Sequence, residues 1–390
     1  MSPRSRLLVA LLSTALIGYV ALGSLLGRVL GDTSYGQLAI FNEVVRLVLE
    51  AYVEPVNLDR AMAGARLGLG DALDGDSGYL DPEEFRLYQQ PPHEMDADIG
   101  AVLTRRFAFL MVVAARAGSP AEKAGLRTGD ILKSIDARHS RNLQASTGQR
   151  LLRGAPGSVV KLGILRAGQD PFDVSVVRER IVPALPSARV LQDGTGYLKI
   201  PEFTPKVAEE VRGEVETLKR GGAVRLVLDL RDAAFGPPAE GTRVAELFVK
   251  GGVVAKLAGS KVAEQVLSAD PARSVWDGPM AVLVDTGSAG AAEIVAAALQ
   301  DAGRASLVGE RTFGRAGIQK AVPLPEGGLV LTVARYSSPK GTLIHGRGVE
   351  PSVPVANRSE DPAEGETPGD PVLDKALEVL RTGAPVKKAA

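Results

Sequence analysis

The sequence predicts an exported α/β chain of several domains, headed by a membrane helix. Three observations carry that prediction. At 390 residues, the chain exceeds one ordinary core. An uncharged, mostly apolar run from Leu7 to Gly27 reaches the roughly 20 residues that a helix needs to cross a bilayer. From Tyr197 onward, short apolar strands alternate with amphipathic helices, the pattern of an α/β core.

Taken in order, Arg4 and Arg6 precede the apolar run and place that end in the cytoplasm. The rest of the chain then lies outside, in the periplasm or its equivalent. A cleaved signal has an apolar core of about 7–15 residues and a small-residue cleavage site. The run is longer, and Ala21-Leu22-Gly23 is a weak site, so residues 1–32 read as a signal or transmembrane anchor, with the uncleaved anchor favoured and cleavage left open. A helical lead-in follows over 33–90. Leu38, Phe41, Val45, Val48, Leu49 and Tyr52 recur at helical spacing, and Pro55 ends that helix. A second helix spans Asp59–Leu73, and a Gly/Asp-rich turn covers Asp74–Gly78.

Composition excludes several function classes. Lys+Arg and Asp+Glu are equal at 46 each, and aromatics are 4% of the chain, so neither a basic face nor a stacking surface for nucleic acid is indicated. There is no Cys, which removes disulfides and thiolate metal sites. His93, His139 and His345 are scattered and read as exposed or structural, not as a metal cluster. No metal or cofactor is expected.

Residues 91–180 form the next unit. Gly118-Ser119-Pro120-Ala121, Ala124-Gly125-Leu126, Gly129-Asp130-Ile131-Leu132 and Ile135-Asp136 place a short capped helix before a glycine turn and a strand. Val159–Arg166 alternates as a further strand. This pattern resembles a PDZ domain, β-rich with short helices. The resemblance implies binding of a peptide as an added strand, with loop amides holding the terminal carboxylate. That loop falls on Ile99, Gly100, Ala101 and Val102, with Asp98 where the usual turn has its first Gly. A carboxylate there opposes the ligand's own.

The α/β core is assigned to 181–356. Strands are expected at Gly196–Ile200, Arg225–Leu230, Met280–Val284 and Ser306–Val308, and helices at Val207–Lys219 and Ala291–Ala302. Residues 357–390 comprise an acidic linker and a last amphipathic helix, Pro371–Leu380.

Thr286-Gly-Ser-Ala-Gly-Ala-Ala-Glu-Ile and the later Gly309-Glu-Arg-Thr-Phe-Gly-Arg-Ala-Gly-Ile-Gln resemble the catalytic segment of the C-terminal processing (tail-specific) serine peptidases. In that family the pattern reads Gly-Ser-Ala-Ser-Ala-Ser-Glu, then Gly-Glu-x-Thr-Phe-Gly-Lys-Gly-x-x-Gln. The nucleophilic Ser falls on Gly290, the general-base Lys on Arg315, and the orienting Gln on Gln319, the one retained. The family's Asn-Pro-Gly-Gly, which helps form the oxyanion hole, ends here on Phe235 and Gly236. The lead-in pattern Leu-Asp-Pro-His-Ser-x-Tyr-Leu keeps its flanks and loses its Pro-His. A guanidinium cannot serve as a base near neutrality, and a glycine offers no nucleophile. Ser288 reads as the N-cap of the helix beginning near Ala291, and Lys320, next to Gln319, points to the opposite strand face. Arg315 is expected to pair with Glu293 or with a peptide carboxylate.

The resemblance therefore implies a homologue without catalysis that binds peptide C-termini, unfolded segments or a partner protein, such as an active family member or an envelope protein. Two alternatives stay open: an active endopeptidase whose dyad is unrecognised or completed by a partner, and a structural envelope scaffold. The family also implies self-association through Gly36–Tyr52 and Pro371–Leu380.

Overall fold

The computed structural model describes residues 33–90, 97–356 and 369–383. The expected membrane helix lies outside the described residues. Among those described, no helix is long and apolar enough to cross a membrane. The chain divides into two compact units between Ala65 and Arg66.

The first unit contains α1 (Thr33–Ala51) and the start of α2 (Leu58–Asp71). On α1, Arg46 pairs with Glu43 at 2.5 Å and with Glu50 at 2.7 Å, spacings that bring side chains together on a helix surface. Its apolar residues Leu38, Phe41, Val48 and Leu49 are exposed.

In the second unit, β1 (Gly78–Leu80) follows a turn and leads into α3 (Pro82–Gln89). Asp81 caps α3 by accepting the Glu84 amide at 2.8 Å; neither short element is evident from periodicity. The PDZ-like portion contains β2 (Ala101–Arg106), β3 (Phe109–Ala115), α4 (Pro120–Lys123), β4 (Ile131–Ile135), β5 (Arg138–His139), α5 (Ala145–Leu151), β6 (Val159–Leu165) and β7 (Phe172–Val177). The sheet runs β2-β3-β4-β6-β7, leaving β2 as an edge strand. Leu103, Leu110, Val112, Leu132, Leu162 and Ile164 fill its core.

The core sheet uses β8 (Ser187–Val190), β9 (Thr195–Lys199), β10 (Arg225–Asp229), β13 (Met280–Val284), β14 (Ser306–Gly309) and β17 (Val353–Pro354). Its order is β17-β14-β13-β10-β9-β8, parallel except where β8 meets β9. Alternation along β10 decides which layer each residue serves. Leu226 and Leu228 face α6 (Val207–Arg220), α7 (Pro238–Glu246) and α8 (Ala291–Asp301), whereas Val227 faces α9 (Pro371–Thr382). Arg231 fastens α9 by bridging Asp229 at 2.7 Å and Asp370 at 2.8 Å, while Asp370 caps the helix by accepting the Leu373 amide at 2.9 Å.

A second sheet, β1-β16-β11-β12 with β15 on β16, is made from β11 (Val253–Gly259), β12 (Val262–Ser268), β15 (Gly317–Pro323) and β16 (Gly328–Ser337). It carries position 319 on β15 and joins the lead-in to the core through β1 and β16.

Candidate active-site cleft

Parallel strands present their loops at their carboxyl ends, where α/β sheets place ligands. Here β10 gives way to Leu230–Gly236 and β13 to Asp285–Gly290. Asp285 ties the two loops together, accepting the amides of Asp232 at 3.1 Å and Gly287 at 3.0 Å. Burial pushes the Asp285 carboxyl up, against those hydrogen bonds to its ionised form.

Ser288 belongs to the same knot and is not the helix cap that the sequence indicates. Its hydroxyl is fully buried, accepts the Asp285 amide at 3.0 Å and lies 2.9 Å from both the Leu230 carbonyl and an Asp285 carboxylate oxygen. The cap is Gly290, at φ 62° and ψ −111°. That left-handed geometry strains any residue with a side chain, and such strain recurs at nucleophile turns. A Cβ at 290 would meet one neighbour, the Arg315 carbonyl, at 3.6 Å. The backbone therefore has room for a side chain at a position that carries none.

Glu293 organises the entry to α8 from below. It is fully buried and accepts the amides of Gly290 (2.9 Å), Gly314 (2.6 Å) and Arg315 (2.7 Å) and the Thr312 hydroxyl (2.6 Å). Burial pushes its carboxyl up, while those four donors favour the ionised form. Glu293 thus takes the backbone of Arg315, not its guanidinium.

The Arg315 guanidinium goes instead to Asp76, with Nε 2.8 Å and 3.1 Å from the two carboxylate oxygens. Asp76 lies in the Asp74–Ser77 turn, at the His position of the Leu-Asp-Pro-His-Ser pattern, with Gly75 at the Pro. The turn is densely held. Asp74 accepts the amides of Asp76 (3.0 Å) and Ser77 (2.8 Å), and its carboxylate lies 3.6 Å from His345 Nε2. Ser77 Oγ accepts the Thr332 amide at 3.0 Å, and Gln319 donates to Thr332 Oγ1 at 3.3 Å. Gln319 is thereby tied to this polar cluster, while Lys320 is exposed.

Burial would raise the Asp74 carboxyl, but hydrogen bonding with His345, Thr332, Asp76 and Ser77 outweighs it and holds the group well below the usual carboxylate range. Its folded value is depressed, so its stabilising contribution is complete above the unfolded value of about 3.9 and declines as pH falls further. Asp74→Asn is expected to lower the urea midpoint at neutral pH. The gap to the natural chain should narrow progressively below about pH 4; a gap independent of pH would contradict the assignment.

The PDZ-like portion packs directly over this region. Val102, Val113 and Ala114 form one apolar cluster with Ala234, Phe235, Ala289 and Phe313. Arg116 lies 4.5 Å from the Phe235 ring centroid and pairs with Glu202 at 2.9 Å. Phe235 therefore anchors the module to the core, as well as adding bulk to its loop. Gly236, at φ 104°, cannot be substituted without collision, since a Cβ there would meet the Phe203 carbonyl at 2.0 Å. Beside this contact lies a cleft of about 310 Å³ lined by Gly100, Arg116, Gln149, Arg153, Phe235 and Arg315. Of the expected peptide-binding residues, Ile99 is buried in the PDZ-like core, whereas Gly100, Ala101 and Val102 line this cleft, the last two as the start of β2. At its head, Asp98 accepts the Gly100 amide at 2.8 Å and approaches Arg153 at 3.3 Å.

Sequence reasoning missed Asp76, Arg116, Glu202 and Gln149. Only Asp76 left a signal, the replacement of Pro-His in an otherwise kept pattern.

A PDZ-like module packed on the loops that follow β10 and β13, with a cleft beside Phe235 and Arg315, is the layout of a PDZ-bearing peptidase fold. Residues 194–355 match the family model for Peptidase family S41, and residues 111–166 match that for the PDZ domain. The chain is 31% identical over 334 residues to the carboxy-terminal-processing protease of Bartonella bacilliformis, covering 83% of this chain and 76% of that one. It is 29% identical over 351 residues to the carboxy-terminal processing protease CtpA of Bacillus subtilis, covering 89% and 75%. Among solved structures, the photosystem II D1 C-terminal processing protease is similar at a TM-score of 0.69 and 26% identity, covering 80% of this chain and 86% of that one. The chain belongs to peptidase family S41, among the C-terminal processing proteases.

Proposed function

We propose that this family member does not cut peptides but binds them, holding a peptide C-terminus or a partner's extended segment in the cleft. The observation that carries this is the pair of positions 290 and 315. Gly290 supplies no hydroxyl, and Arg315 is a guanidinium held by Asp76, which cannot accept a proton near neutrality. Arg116 and Arg153 line the remaining cleft, each beside an acidic partner, Glu202 and Asp98, and a guanidinium so placed can share its further N–H donors with a peptide carboxylate. The Leu7–Gly27 run behind Arg4 and Arg6 supports an anchor with the bulk of the chain exported. The exposed apolar residues of α1 support self-association through that helix.

The test is binding of a short fluorescent peptide with a free C-terminal carboxylate, compared with its amidated twin. The acid form should bind at least about tenfold more tightly, a difference near 1.4 kcal/mol. Equal affinities, or none, would remove C-terminal recognition and leave the scaffold role.

A further inference from the structure

A peptide joins a PDZ-type module through the outward backbone groups of its edge strand, which here is β2. Those groups already have partners from this chain. Leu103 N donates to Gln149 Oε1 at 3.0 Å, and Gln149 Nε2 donates to the Ala101 carbonyl at 2.8 Å. A carboxamide offers one acceptor and a donor, so Gln149 reproduces one peptide unit of an added strand. The next outward donor, Arg105 N, is taken by the Gly75 carbonyl at 2.9 Å. At the head of the groove the Gly100 amide is held by a carboxylate, that of Asp98, as a ligand's terminus would hold it.

We propose that Asp98, Gln149 and the Asp74–Ser77 turn form an intramolecular pseudo-ligand, so that an extended peptide pairs with β2 only when the turn withdraws and Gln149 swings out. The inference rests on the binding function above and states how that site is controlled. The turn is fitted closely to the strand, since a Cβ on Gly75 would meet the Arg105 carbonyl at 2.2 Å and Thr104 Oγ1 at 2.5 Å. The same turn carries Asp76, the partner of Arg315. Withdrawal therefore uncovers the strand edge and releases a guanidinium beside the cleft in one movement. A backbone edge and a cation are what an arriving C-terminal strand requires.

The test uses the full chain in detergent, with hydrogen exchange of the β2 segment and binding of the free-carboxylate peptide measured together. Gln149→Ala should speed exchange at Leu103, and Gly75→Ala at Arg105, each by about tenfold. Both variants should bind the peptide more tightly than the natural chain by about tenfold. Unchanged exchange in both variants would overturn the pseudo-ligand whatever the peptide does. Peptide binding to the natural chain as tight as to the variants would overturn it too, while leaving the binding function standing. Faster exchange with no peptide bound by any form would overturn both the binding function and its control, leaving Gln149 and the turn as intramolecular contacts of β2 alone.

Discussion

Restoring only the serine and lysine, as Gly290→Ser with Arg315→Lys, is expected to give no measurable cleavage of an unfolded protein. Space is not the obstacle, since a Cβ at 290 meets only the Arg315 carbonyl at 3.6 Å. The backbone strain of about 1–3 kcal/mol is of the size that functional sites sustain. The obstacle is the surroundings. An ammonium at 315 would sit within reach of Asp76 and stay protonated, so it could not take the serine proton. Phe235 would still occupy the loop that must aim amides at the developing charge. Losing a nucleophile or base costs on the order of 10⁶ in rate, and such groups act as a unit. Adding Asp76→Asn and Phe235→Gly should therefore raise turnover at least about a thousandfold over the double variant. Efficient cleavage by the double variant would show that Asp76 and Phe235 do not matter. Phe235 is buried among Val102, Ala114 and Phe313, so its loss also costs about 3–5 kcal/mol of stability, which a urea midpoint records as a folding control.

Glu293→Ala should be among the most destabilising single changes available to this chain. It would strip the acceptor from the Gly290, Gly314 and Arg315 amides and the Thr312 hydroxyl at once. Each buried donor left unpaired costs about 1–3 kcal/mol, and the truncation leaves a cavity besides. A loss above about 4–5 kcal/mol follows, read as a large fall in urea midpoint or failure to accumulate folded protein. Glu293→Gln keeps the shape but turns an amide nitrogen toward two donors, so its loss should be intermediate. A midpoint for Glu293→Ala within error of the natural chain would contradict the role assigned to this carboxylate.

Much of the core was legible because its signals are local. Arg225–Leu230 reads as a buried strand from its continuous apolar run, and β10 spans Arg225–Asp229 with Leu226 and Val227 on opposite faces. Val207–Lys219 reads as a helix from its stripe, and Val207, Val211, Val215 and Leu218 are the buried residues of α6. The hairpin β11–β12 escaped because most of β12 is exposed, leaving no apolar alternation to read. The site was legible only as departures from the family's pattern, at positions 290, 315 and 235. The rest of the site depends on contacts between distant positions: Asp76 and Arg315 are 239 residues apart, and Gln149 reaches Leu103 across 46. Ser288 departs from the expectation that serine before a helix caps it, because Glu293 reaches back to the Gly290 amide and Ser288 is drawn into the Asp285 knot.

The most direct test of the proposal that this peptidase fold binds without cutting is to incubate the purified natural chain with an unfolded protein substrate and, in parallel, with a serine-directed fluorophosphonate. No fragments and no covalent adduct by intact mass are expected, since position 290 has no hydroxyl and Ser288 is buried and engaged. Fragments that disappear on Ser288→Ala, or an adduct mapped to any serine of the cleft, would show that the chain cuts after all.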